Sequence, residues 1–316
     1  MFLRSITLLG LLVLLSTTFL SAQATDSIPK RKLFTQKVEG EVPIIDGNIN
    51  DEAWSQLEWS GDYHQLEPSD ELDATLETLM KVLYDDKNLY VAYYCKDSEP
   101  DRIERRMSRR DGFPGDWVEV NIDSYHDLRT AFSFTISASG VKGDEFISND
   151  GNNWDSNWNP IWYAKTQIQD DGWTAEIRIP LSQLRFGNAA EHVWGIQSTR
   201  RLFRLEERDT WQPVKQNASG WVSRFGELHG LRGIESQRQV EIQPYVVMQT
   251  ARAALEEGNP FAKGSNQRIS AGLDGRLGVT SDLTLDFTIN PDFGQVEADP
   301  GALNLDGFQI FFGERR

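Results

Sequence analysis

The chain has 316 residues, 48 Asp and Glu against 32 Lys and Arg, a formal net charge of −16, and one cysteine. That acidic excess excludes a nucleic-acid partner gripped through its phosphates, and a lone cysteine excludes an intrachain disulfide. The length suits one large domain or two modest ones.

The first residues carry one Arg, an apolar run and small residues at Ala22 and Ala24. They read as a secretory signal peptide cut after Ala24, too short and wrongly flanked for a membrane-spanning helix. A leader over 25–39 follows. "DEAWSQL" (51–57) is expected to be one short helical turn, with Trp54 capping a core. From there strand signals dominate. "LMKVLYDDKNLYVAYYC" (79–95) reads as a hairpin around Asp85–Asn88, with Cys95 as a buried small hydrophobe. In "WVEVNID" (117–123), Val118, Val120 and Ile122 alternate with Trp117, Glu119, Asn121 and Asp123. "AFSFTISASG" (131–140) and "WTAEIRIP" (173–180) repeat that alternation. Half-buried strands at such intervals predict an all-β fold, an antiparallel sandwich or barrel.

"NDGNNWDSNWNPIW" (149–162) spaces Trp154, Trp158 and Trp162 four apart. Gly151, Pro160 and the Asn/Asp residues oppose a helix, so the stretch reads as a loop entering a strand near Ile161. Its hard oxygens make Asp150, Asn152 and Asp155 candidates for structural calcium, although the spacing of a calcium loop is incomplete. No other cofactor is expected. His64, His126, His192 and His229 show no pair at metal-ligand spacing.

Beyond residue 231, "RISAGLDGRLGV" and "LTLDFTINPDFG" alternate over about 10 residues each around a turn at 280–282, as strands of an outer-membrane barrel do. An ordinary soluble hairpin gives the same pattern. A closed barrel needs roughly eight strands, so the sequence reads as part of a longer exported protein, with residues 234–316 as the start of a barrel.

Candidate site chemistry centres on "SRRDGFPGDWVEVNID" (108–123). Phe113 and Trp117 lie among Arg110, Asp111 and Glu119, and strand parity places Trp117 and Glu119 on the side away from the valines. Flat rings beside acids and guanidinium groups suit a sugar, which has an apolar C–H face and a polar rim. Trp154 and Trp158 add rings in a polar setting. Trp173 and Trp194 start strand-like runs and are expected in the core.

Five segments, "VPIIDGNINDEAW" (42–54), "NLYVAYYCKD" (88–97), "GDWVEVNID" (115–123), "GWTAEIRIPLSQLRF" (172–186) and "FGELHGL" (225–231), occur in an order that resembles the family 9 carbohydrate-binding module over about residues 40–232. "INPDFGQVEADPGALNLDGFQIFF" (289–312) resembles the start of an uncharacterised barrel domain that follows such modules in outer-membrane proteins of Gram-negative bacteria. The resemblance implies a β-sandwich that binds sugar between two tryptophans, with structural calcium and an association with polysaccharide-degrading systems. Phe113 falls at the first tryptophan position, Trp221 near the second, and Glu119 at a carboxylate that contacts sugar hydroxyls. The family's arginine falls at Ser133, and Arg129 is the nearest substitute.

Three functions stay open: non-catalytic saccharide binding in the periplasm or at the cell surface, anchored through a barrel; hydrolysis of O-glycosyl bonds or an accessory role in it; and a structural periplasmic domain with a degenerate sugar site. No Gly-x-Ser-x-Gly elbow, phosphate loop or zinc-protease helix is present.

Overall fold

A computed structural model of the protein describes residues 28–237, 239–252, 265–279 and 283–291. The expected signal peptide, the expected turn at 280–282 and most of the 289–312 stretch lie outside these. The described residues form two compact units: those up to 179 with 190–233, and 180–189 with those from 234 onward.

The first unit holds strands β1 (Lys32–Phe34), β2 (Gln36–Lys37), β3 (His64–Glu67), β4 (Thr78–Tyr84), β5 (Asn88–Lys96), β6 (Trp117–Asp123), β7 (Ala131–Ser137), β8 (Lys142–Ser148), β9 (Asn153–Asp155), β10 (Tyr163–Gln169), β11 (Gly172–Pro180), β12 (Glu191–Leu202), β13 (Glu207–Thr210) and β14 (Gly226–Arg232). One sheet runs β1-β14-β12-β6-β7-β8-β9, with β13 bridging β12 and β3; the other runs β10-β11-β5-β4-β2. The unit is the expected β-sandwich, antiparallel except for the parallel edge pairs β1 with β14 and β2 with β4.

Alternation dictates the core. Val118, Val120, Ile122, Phe134 and Ile136 of one sheet are fully buried, as are Val91, Tyr93, Trp173, Ala175 and Ile177 of the other. Tyr93 ties the layers by donating its hydroxyl to the Glu119 carbonyl at 3.1 Å. The β4–β5 hairpin forms where expected, with Cys95 buried on β5.

"DGNINDEAW" is placed by one carboxylate. Glu176 of β11 accepts from the backbone of Asp46 at 3.0 Å and Gly47 at 2.8 Å, and from Trp54 Nε1 at 2.8 Å. Trp54 thereby fills the core from a short 3-10 turn, Glu52–Gln56. Trp173 and Trp194 are buried as well.

The second unit contains β15 (Val240–Arg252), β16 (Ser265–Gly278) and β17 (Thr284–Ile289), an antiparallel three-stranded sheet. Register sets Met248 opposite Ile269, Val240 opposite Leu277, and Leu277 opposite Leu285, all on one face. The opposite face carries an Arg276–Asp286 ion pair and a hydrogen bond from Tyr245 to the carbonyl of Asn290.

Candidate functional site

The site is built on the outer face of β6, β7, β8 and β12. Cross-strand register aligns Glu119 with Thr135 on one side and Thr199 on the other, then Asn121 with Ser133 and Gln197. Thr135 pairs onward with Gly143, and Ser133 with Glu145. Paired residues share a face, so Trp117, Glu119, Asn121, Ser133, Thr135, Glu145 and Thr199 form one polar surface.

This surface is walled by rings. At one end Phe113 lies over Gly143, where an added Cβ would come within 2.7 Å of its Cε2. Phe113 leans on Trp117 with centroids 6.4 Å apart. At the other end Trp221 donates Nε1 to Asn121 Oδ1 at 2.9 Å and packs over Ala131 and Ile147. Trp154, paired with Ile147, extends this end with its ring more than a third exposed. Glu145 stands on β8 between Gly143 and Ile147, hence between the two aromatic ends. Beside Trp221 a cleft of about 550 Å³ opens, lined by Glu67, Arg208, Gln216 and Gly220.

Burial governs the electrostatics. Glu119 is at the floor of the face, not at an open rim as strand parity alone suggests, because neighbouring strands cover it on both sides. Burial raises its carboxyl above the usual range, partly offset by hydrogen bonds from Asn121, Thr135 and Ser133. Thr135 Oγ1 donates to its Oε2 at 3.0 Å. Glu145 is pushed up to about 7, first by burial and then by the charges of Glu119, Asp111 and Asp144. The hydroxyls of Thr199 and Thr210, in the same row as Glu119, are buried and meet no partner among the described residues.

Phe113, Trp117, Glu119, Trp154 and Trp221 therefore meet on one face, with Asp111 at its edge accepting the Asp144 backbone N–H at 3.2 Å. Three expected residues go elsewhere. Arg110 ion-pairs with Asp144, whose side chain is on the core side of β8, where Trp162 Nε1 also binds it at 2.9 Å. Trp158 packs on Phe132 and Phe134, likewise on the core side, with centroids 5.0 and 5.5 Å away. Arg129 is exposed in the β6–β7 connection, where its carbonyl accepts the Asp150 N–H at 2.9 Å. The guanidinium that does face Glu119 is Arg208, which also reaches Glu67 at 2.8 Å.

Each calcium candidate has a hydrogen-bond partner within the protein. Asp150 accepts from the backbone of Trp221 at 3.1 Å, and from the backbone and hydroxyl of Ser223 at 2.8 and 2.7 Å. Asp155 accepts from Asn157 at 3.0 Å, and Asn152 donates to the Asn149 carbonyl at 2.7 Å. Among the described residues no three His, Cys, Asp or Glu side chains gather as a metal site. Asp150 seats the loop that carries Trp221.

Asn121, Glu145 and Arg208 were not singled out from the sequence. Asn121 shares the parity of Trp117 and Glu119, so a signal existed. Glu145 and Arg208 join the face only through strand pairing.

No curated protein matches the chain. Among solved structures, a family 9 carbohydrate-binding module from Caldicellulosiruptor kristjanssonii in complex with glucose is 17% identical, covering 66% of this chain and 97% of that one at a TM-score of 0.45. The cellotriose complex of a module from the same organism gives 17%, 66%, 95% and 0.45. A candidate carbohydrate-binding protein from Bacteroides uniformis is 12% identical, covering 64% and 100% at a TM-score of 0.53, a likeness of fold. Residues 238–316 match a domain of unknown function, DUF5916. Residues 45–222, more than half of the chain, match the carbohydrate family 9 binding domain-like family, and the chain belongs to it.

Proposed function

We propose that the sandwich unit binds a saccharide without cleaving it, on the face between Phe113 and Trp221. The observation that carries this reading is the pairing of ring walls with a floor of hydrogen-bonding groups: Glu119, Asn121, Glu145 and Thr135 lie between Phe113–Trp117 and Trp221–Trp154. Stacked rings take the apolar face of a pyranose, and the floor takes its hydroxyls. Family membership supports the same class of ligand.

The second unit supports an outer-membrane setting for this module. Val240, Ile242, Val246, Met248, Ile269, Leu285 and Ile289 are exposed, and register collects them on one sheet face. That is the pattern of lipid-facing barrel strands. No helix among the described residues is long and apolar enough to cross a membrane. In this reading the protein is exported, is held in the outer membrane through strands beginning near residue 240, and serves carbohydrate catabolism by retaining sugar chains there.

Calorimetric titration of the full chain in detergent with cello- and xylo-oligosaccharides tests the binding. Heat at millimolar sugar or below, abolished in a Phe113→Ala, Trp221→Ala double variant, is the expected result. Silence with every sugar rejects the proposal in favour of a structural domain. Release of reducing ends in the same samples rejects the non-catalytic part.

A further inference from the structure

The floor between the rings has an unbalanced charge. Glu119 and Glu145 both face it, and Asp111 lies at its edge. The cations nearest in the sequence are turned away: Arg110 to Asp144 on the core side, and Lys142 to the Trp162 carbonyl at 2.8 Å. Two guanidinium groups share the face beyond Glu119 and both are held by other acids: Arg208 of β13 approaches Glu119 and is shared with Glu67, and Arg201 of β12, opposite Trp117, pairs with Glu206 and Glu67. Among the described residues nothing donates a hydrogen bond to the Glu145 carboxylate. Its electrostatic neighbours are Glu119 on β6, Asp111 in the preceding loop and Asp144 on β8, all acidic.

We infer that this slot selects a saccharide carrying a protonated amine, an amino sugar, whose ammonium pairs with Glu145 while its ring lies between Phe113 and Trp221. The inference rests on the saccharide-binding reading above and specifies its ligand. A neutral sugar can share hydroxyl protons with Glu145 but leaves the carboxylate repulsion in place. An ammonium removes it and supplies the missing donors, and charge-assisted bonds are about twice as strong as neutral ones. Along β8, Glu145 stands between Gly143, under Phe113, and Ile147, under Trp221 and Trp154, so a charge bound there is fixed relative to the stack.

The preference has a defined pH window. Glu145 is pushed up to about 7 in the empty slot, so acid removes its charge. A sugar amine titrates like an α-amino group, near 8, and alkali removes the partner charge. Selectivity is therefore greatest close to neutrality.

The test is calorimetry on the full chain with three disaccharides: cellobiose, its analogue bearing free amines, and the N-acetylated form of that analogue. At neutral pH and low salt the amine is expected to bind about tenfold more tightly than the other two. The ratio should shrink in about 0.5 M salt, shrink again toward pH 5, and fall to about one in Glu145→Gln. The salt and pH series on the unaltered protein give the answer even if that variant folds poorly. Equal affinity for all three sugars, or a preference that survives Glu145→Gln, overturns the inference and leaves saccharide binding intact. Absence of heat with all three removes both.

Discussion

Trp221 and Asn121 are joined by a 2.9 Å hydrogen bond from indole Nε1 to amide Oδ1 across 100 positions of sequence. A loop residue thereby gains the fixed orientation of a sheet residue. Trp221→Phe keeps a ring and loses the bond. Saccharide affinity is expected to fall several-fold and stability by about 1 kcal/mol, both readable by calorimetry and thermal melting. Full retention of affinity would show that the indole orientation is irrelevant to binding.

Asp150 acts on the same loop from the other side. It holds the backbone of Trp221 and both the backbone and hydroxyl of Ser223. Asp150→Ala should cost about 1 kcal/mol, since three part-buried hydrogen bonds lose their acceptor and water replaces it only in part. Sugar affinity should drop in parallel, and added calcium should not restore either. Restoration by calcium would return this carboxylate to the metal ligands.

Gly143 makes room for Phe113. A Cβ there meets the far edge of the ring, which can swing, rather than backbone. Gly143→Ala is expected to leave the melting temperature within a few degrees and weaken sugar binding about tenfold, because one aromatic wall is displaced. A variant that binds normally would place the ligand away from Phe113.

Asp209 of β13 gives a pH signature independent of ligand. It is fully buried, and burial first, then the charge and side chain of Glu207, push it up to about 8 against the opposing charge of Arg200. A folded-state value above the unfolded one, about 3.9, means the native state binds the extra proton. Stability should therefore fall as pH rises from about 4 to 8 and change no further through this group above that. Asp209→Asn removes the ionisation, so its melting temperature should exceed that of the unaltered chain by a margin that widens from pH 5 to 8. A margin independent of pH would contradict this.

The sequence by itself determined the strands of the first unit and which face of each is buried. Val118, Val120 and Ile122 alternate with polar neighbours, and Phe132, Phe134 and Ile136 do the same, so each strand declares its core face through side-chain period alone. The same local rule put Trp117 and Glu119 together and buried Trp173. It could not place Arg110 and Trp158, because loop side chains have no fixed period: Arg110 is drawn to buried Asp144, and Trp158 to Phe132 and Phe134. Nor could it find Glu145 or Arg208, whose positions beside Glu119 follow from which strands pair and in what register. Only the tertiary structure decided that register, and with it the burial that turns a row of surface-looking polar residues into a charged floor between two aromatic walls.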